Sequence, residues 1–67
     1  MIELTSIVGE SFLLNSELIY RIDWAHDTVI TLIDLKKIRV KETPDTVAEK
    51  VLDYKREIYA YQREAEN

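Results

Sequence analysis

Residues 28–42 read TVITLIDLKKIRVKE and end at Thr43-Pro44, where the hydrophobic period changes. Before the break, Val29, Thr31 and Ile33 fall on one side of a strand and Ile30 and Leu32 on the other. Ile38 and Val40 then alternate with Lys37, Arg39 and Lys41. After the break, Val47, Val51, Tyr54, Ile58 and Tyr61 recur at steps of four and three. Period two specifies a strand, and a period near 3.6 specifies a helix. The pattern predicts an α+β fold, a small antiparallel β-sheet of about five strands packed by one long C-terminal α-helix.

Upstream of this stretch, Ile2 and Leu4 alternate with Glu3 and Thr5, which gives a first strand. Gly9 is the only glycine, so Val8-Gly9-Glu10 reads as a hairpin turn with a positive φ, followed by a strand at Phe12-Leu13-Leu14. Asn15-Ser16-Glu17 supplies turn chemistry. Leu18–Trp24 forms a third strand, with Tyr20, Ile22 and Trp24 on one face and Arg21 and Asp23 on the other. His26-Asp27 breaks it, Thr28–Ile33 is the fourth strand, Asp34-Leu35-Lys36 a turn, and Lys37–Glu42 the fifth.

The helix begins at Thr43, which can cap it. Pro44 fits the first helical position, where its missing N–H is harmless, and Asp45 faces the positive end of the dipole. Thr46 and Glu49 offer a second capping box. No glycine stops the helix, and Glu64 and Glu66 oppose its dipole, so fraying is expected from about Arg63. One domain, 1–67, follows, with a β-unit over 1–42 and a helix over 43–64.

A chain of 67 residues is close to the lower limit for folding alone. It has no cysteine and one histidine, which excludes disulfides and thiolate metal sites. Self-association or docking on a larger protein is the expected supplement. The net charge of −4 opposes binding to nucleic acid or anionic lipid. Residues 1–41 hold six acids and five bases, and 42–67 seven acids and four bases. The start, MIELTSIVGE, lacks the basic region of a signal peptide. No apolar run reaches the ~18–20 residues of a membrane span. A cytoplasmic location without membrane insertion is the expectation.

No catalytic pattern stands out. Asp23, His26 and Asp27 cluster at one turn, but no further ligands match them, and Asp and His are common in turns for local hydrogen bonding. Ser6, Ser11 and Ser16 lack the setting of a nucleophile. The expectation is a non-enzyme with no metal and no cofactor. Lys36, Lys37, Arg39 and Lys41 form a basic ridge. With Tyr20 and Trp24 it can be drawn as an RNA-binding face, whereas lysines on a strand edge also simply discourage aggregation. Asp45, Glu49, Asp53 and Glu57 form an acidic helix row, by default a solvated face.

The candidate surface for protein contacts comprises Trp24, His26, Tyr59 and Tyr61. A helix over 44–63 spans ~30 Å, against ~17–20 Å for strands of five or six residues. Its last third, with Ile58, Tyr59 and Tyr61, then overhangs the sheet and offers apolar surface to another chain. Trp24 has two readings, a contact residue at a turn or a core residue continuing the Tyr20/Ile22 face inward.

Leu14-Asn15, Glu17-Leu18-Ile19, Asp27-Thr28, Ile30-Thr31-Leu32, Lys36-Lys37, Val40-Lys41-Glu42, and Val51 with Tyr54-Lys55-Arg56 resemble, in order and spacing, the small FlbD-like flagellar proteins. That family includes a swarming motility protein. The resemblance runs from Met1 to about Ile58. Val8-Gly9 replaces the family's Asn-Gly, Leu35 stands where a glycine is usual, and Trp24-Ala25-His26 replaces a proline-containing turn. The resemblance implies a non-enzymatic cytoplasmic accessory of bacterial flagellar motility and swarming, associated with motor power. Its implied partner is a protein of the flagellar motor or its regulators, and no nucleic acid. A homo-oligomer remains compatible with this. A second resemblance, Leu4-Thr5 with Gly9-Glu10, is to the carbon storage regulators, RNA-binding dimers of similar length. Their basic pair after the threonine is here Ser6-Ile7, which removes a main source of RNA affinity.

Overall fold

The computed structural model describes the backbone over residues 1–66 and side chains over residues 1–58. Five strands precede one helix: β1 Ile2–Thr5, β2 Ser11–Leu14, β3 Ile19–Ala25, β4 Asp27–Leu32, β5 Lys37–Val40 and α1 Pro44–Glu66. The expected single sheet is divided in two. β1 pairs antiparallel with β2, and β3-β4-β5 form a three-stranded antiparallel sheet. The two meet at an isolated bridge between Ser6 and Val40. The Lys41 N–H donates to the Thr5 carbonyl beside it, at 2.8 Å. The ladder stops there because the chain reverses at Ser6, whose carbonyl accepts from the Gly9 N–H at 2.9 Å.

The local turns follow the sequence. Gly9 has φ +92°. The Asn15 side chain accepts from the Glu17 N–H at 3.1 Å and caps a short 3-10 turn at Ser16–Leu18. Thr43 caps α1: its hydroxyl accepts from the Thr46 N–H at 3.2 Å and its carbonyl from the Val47 N–H at 3.0 Å. The second capping box is not used. The helix continues to Glu66, past Arg63 and past the expected end at residue 64.

Turn β4–β5 shows what the missing glycine does. Leu35 takes φ +71°, the left-handed conformation that favours glycine. The Asp34 side chain accepts from the Lys36 N–H at 3.0 Å and stabilises the reversal. Leu35 is 70 % exposed, so its side chain gains little from burial there.

Ile2, Leu4, Leu14, Ile30, Val40 and Val47 form the buried core, joined by half-buried Phe12, Ile19, Ile22, Leu32, Ile38, Val51 and Tyr54. Ile22, Ile30, Leu32, Ile38 and Val40 of the sheet and Val47, Val51 and Tyr54 of the helical period join this core, whereas Ile58 is half-buried and outside it. Val47 is its fully enclosed helical member, while Val51 and Tyr54 are half-buried. Val29 and Thr31 are buried as well, although they face away from this core. In register, Val29 lies between Asp23 and Arg39, and Thr31 between Arg21 and Lys37. The long stems of Arg21, Lys37 and Arg39 shelter the central strand while their charges stay in water.

Glu42 joins the two sheets and the helix start. Its Oε1 accepts from the Thr5 N–H at 2.9 Å, and its carbonyl accepts from the Thr28 hydroxyl. Burial opposes its ionised form. Hydrogen bonds from the Thr5 N–H, its own N–H and the Thr5 hydroxyl outweigh this, helped by the charge of Lys50, and the carboxyl stays below its ordinary pKa.

The helix outruns the sheet. Its 23 residues measure ~34 Å, against ~20 Å for the central strand β4 and ~23 Å for β3. The radius of gyration, 13.3 Å, and the longest axis, 46 Å, exceed those of a rounded chain of this length, for which ~11 Å is the expected radius.

Val47→Asp should leave an unpaired charge in the core and abolish cooperative thermal unfolding followed by circular dichroism. The same change at half-buried Val51 should be milder. Leu35→Gly should stabilise the protein by about 0.5–1 kcal/mol in urea titration, because it relieves the left-handed backbone at little cost in burial. For Glu42, the folded pKa lies below the unfolded one. Its contribution is present above the unfolded value and lost as pH falls through the folded one. Wild type should therefore exceed Glu42→Gln by about 1 kcal/mol at neutral pH, and the gap should close below about pH 4.

Candidate interaction surface

Strands β3 and β4 are joined with almost no loop. Ala25 pairs with Asp27 across His26, which has φ +65°, a conformation that histidine tolerates better than most residues. The hairpin end is anchored on the β4 side. Thr28 is buried and donates to the Glu42 carbonyl, and Asp27 Oδ2 accepts from Arg39 at 3.4 Å. A firmly held hairpin thus presents two exposed side chains, Trp24 and His26.

Trp24 is 65 % exposed and Tyr20 67 %. The core reading of Trp24 is thereby overturned. Trp24 lies opposite Thr28, and Thr28 opposite Val40, so its register is inward. Yet the apolar cluster completed by the helix takes in Ile19 and Ile22 and stops before Trp24. Tyr20 is displaced by a bulge between Ile19 and Arg21, which interrupts the alternation that placed it beside Ile22. Tyr20 was not among the expected contact residues, and a bulge leaves no mark in hydrophobic periodicity. Tyr59 and Tyr61 lie outside the residues whose side chains are described.

The other constellations are now placed. Asp23 accepts from Arg21 at 2.9 Å and Asp27 from Arg39 at 3.4 Å, so each carboxylate of the turn has a guanidinium partner. Among the described residues, no three His, Asp or Glu side chains converge. Lys37 and Arg39 share a face with Arg21 and Asp23, whereas Trp24 is in register with Thr28 and Val40 on the opposite face. Trp24 and the basic residues drawn with it as an RNA face are therefore separated by the sheet. Asp45, Glu49, Asp53 and Glu57 are exposed.

A shallow groove of about 230 Å³ runs between β1 and α1, lined by Met1, Ile2, Glu3, Lys50, Asp53, Tyr54 and Glu57. It lies below the ~300–1,000 Å³ of ordinary small-molecule sites. Lys50 crosses it to donate to the Glu3 carbonyl at 2.7 Å, a contact that fastens helix to strand. No described helix is long and apolar enough to cross a membrane.

The chain matches the family described as FlbD, flagellar and swarming motility proteins, over residues 1–59. No curated protein and no solved structure matches it.

Proposed function

The chain belongs to the FlbD family of flagellar and swarming motility proteins, and on that premise we propose that it is a non-enzymatic accessory of the bacterial flagellum acting through protein–protein contacts. The observation that carries the contact reading is the exposure of Trp24 on a hairpin end anchored by Thr28 and Asp27. A tryptophan held in solvent by a firm scaffold is costly unless another surface covers it. His26 extends the same surface. The partner is a protein of the motor or its regulators, the site of action is the cytoplasm, and the effect is support of motor power after assembly. Nucleic acid and lipid are not partners in this reading, in keeping with the acidic balance of the chain.

Deleting the gene should leave flagella assembled but weaken motility under high load, measured as torque of tethered cells. Normal torque in the deletion strain would overturn the proposal. Because Trp24 is mostly exposed, Trp24→Ala should keep the melting temperature within about 2 °C while reducing motility toward that of the deletion. A large fall in melting temperature would instead make Trp24 structural.

A further inference from the structure

The outer edge of β3 carries a sequence complementary to itself. β3 borders its sheet; outside the ladders the Ile19 N–H donates to the Ser16 carbonyl, and among the described residues no other such backbone hydrogen bond reaches residues 20–25. Open edges are ordinarily guarded by brevity, charge, proline or a bulge. The free edge of the other sheet, β2, has four residues. β3 has seven, IYRIDWA, with a bulge between Ile19 and Arg21; beyond the bulge its two charges are of opposite sign, and it has neither lysine nor proline.

We propose that β3 pairs antiparallel with β3 of a second copy of this chain, about a two-fold axis through Ile22. In that register Arg21 faces the partner's Asp23, and Asp23 faces the partner's Arg21. The bulge at Tyr20 ends the regular pairing beyond Arg21, so at each end Trp24 lies over the partner's bulged segment at Tyr20. Ile22 meets the partner's Ile22 at the centre. The neighbouring two-fold registers, centred on Arg21 or on Asp23, oppose like charges, which are unfavourable directly across a ladder. Charge therefore selects one register.

The monomer is prepared for this exchange. Arg21 and Asp23 already contact each other at 2.9 Å with exposed side chains, a pair whose rearrangement costs little in water. Tyr20 and Trp24 are about two-thirds exposed, and a covered aromatic ring buries ~150–250 Å². Four such rings offer roughly 400–650 Å² of the ~1,000 Å² expected of a specific interface, with the paired strand edges supplying the rest. A dimer in the micromolar range follows. It joins two three-stranded sheets into one of six strands and covers the same Trp24 that carries the contact reading, without resting on the motility assignment.

Sedimentation equilibrium of the full chain up to about 300 μM, a range that populates modest interfaces, tests the pairing. Wild type should dimerise. Arg21→Asp and Asp23→Arg should each weaken the dimer by about tenfold or more, and the double exchange should return it to within about threefold of wild type. Circular dichroism should show all three variants folded, since both side chains are exposed. A wild type that stays monomeric overturns the proposal. So does a dimer indifferent to the single exchanges, or a folded double variant that remains monomeric. Ile22→Cys gives a direct readout, because the chain has no cysteine and opposed Cα atoms ~4.5–5.5 Å apart lie within disulfide reach. A folded variant that forms no disulfide-linked dimer under oxidising conditions also counts against the pairing.

Discussion

The seam between the two sheets is the contact on which the remaining structure depends. Two strands of four residues cannot stand alone in water, and a three-stranded sheet has little core of its own. They are held edge to edge where the Ser6–Val40 bridge, the Lys41–Thr5 hydrogen bond and the Glu42–Thr5 hydrogen bond converge. Thr28 reaches the same point from β4 through the Glu42 carbonyl. One carboxylate with its backbone thus ties β1, β4 and the entry to α1 together. Its ionised form is favoured despite partial burial because the N–H groups around it are already oriented. The core formed by Leu4, Ile30, Val40 and Val47 closes directly over this joint.

That arrangement also decides what stays outside. The helix completes the core with Val47, Val51 and Tyr54 and then continues beyond the sheet. On the far face of the three-stranded sheet, Arg21, Asp23, Lys37 and Arg39 flank Val29 and Thr31 in place of a second helical layer. The acidic helix row and the basic strand ridge both lie exposed to solvent. What distinguishes the surface is β3, a long free edge carrying two exposed aromatics. Both the contact reading for Trp24 and the self-pairing of β3 grow from that edge.

Much of the fold was legible locally. Alternation marked the strands to within a residue or two at their ends, and Gly9, Asn15 and Thr43-Pro44 marked their boundaries through conformations that depend on immediate neighbours. Leu35 was legible only in part. The turn was expected there, but that a leucine would adopt the glycine conformation became apparent from the backbone. The candidate surface was less legible, since Trp24 was open to two readings and Tyr20 was read beside Ile22, or as part of an RNA face, and not as a protein-contact residue.

The sequence by itself determined the order and type of the elements, the start of the helix and the excess of helix over sheet, because periodicity, capping and length are properties of adjacent residues. Only the tertiary structure decided that five strands divide between two sheets, that Trp24 faces solvent, and that Trp24 and the basic Lys37 and Arg39 lie on opposite faces. Each of these depends on pairing between distant segments. The bridge from Ser6 to Val40 and the bond from Thr5 to Glu42 span more than thirty residues, and a single bulge at Tyr20 re-aims a side chain without altering the pattern of residues around it.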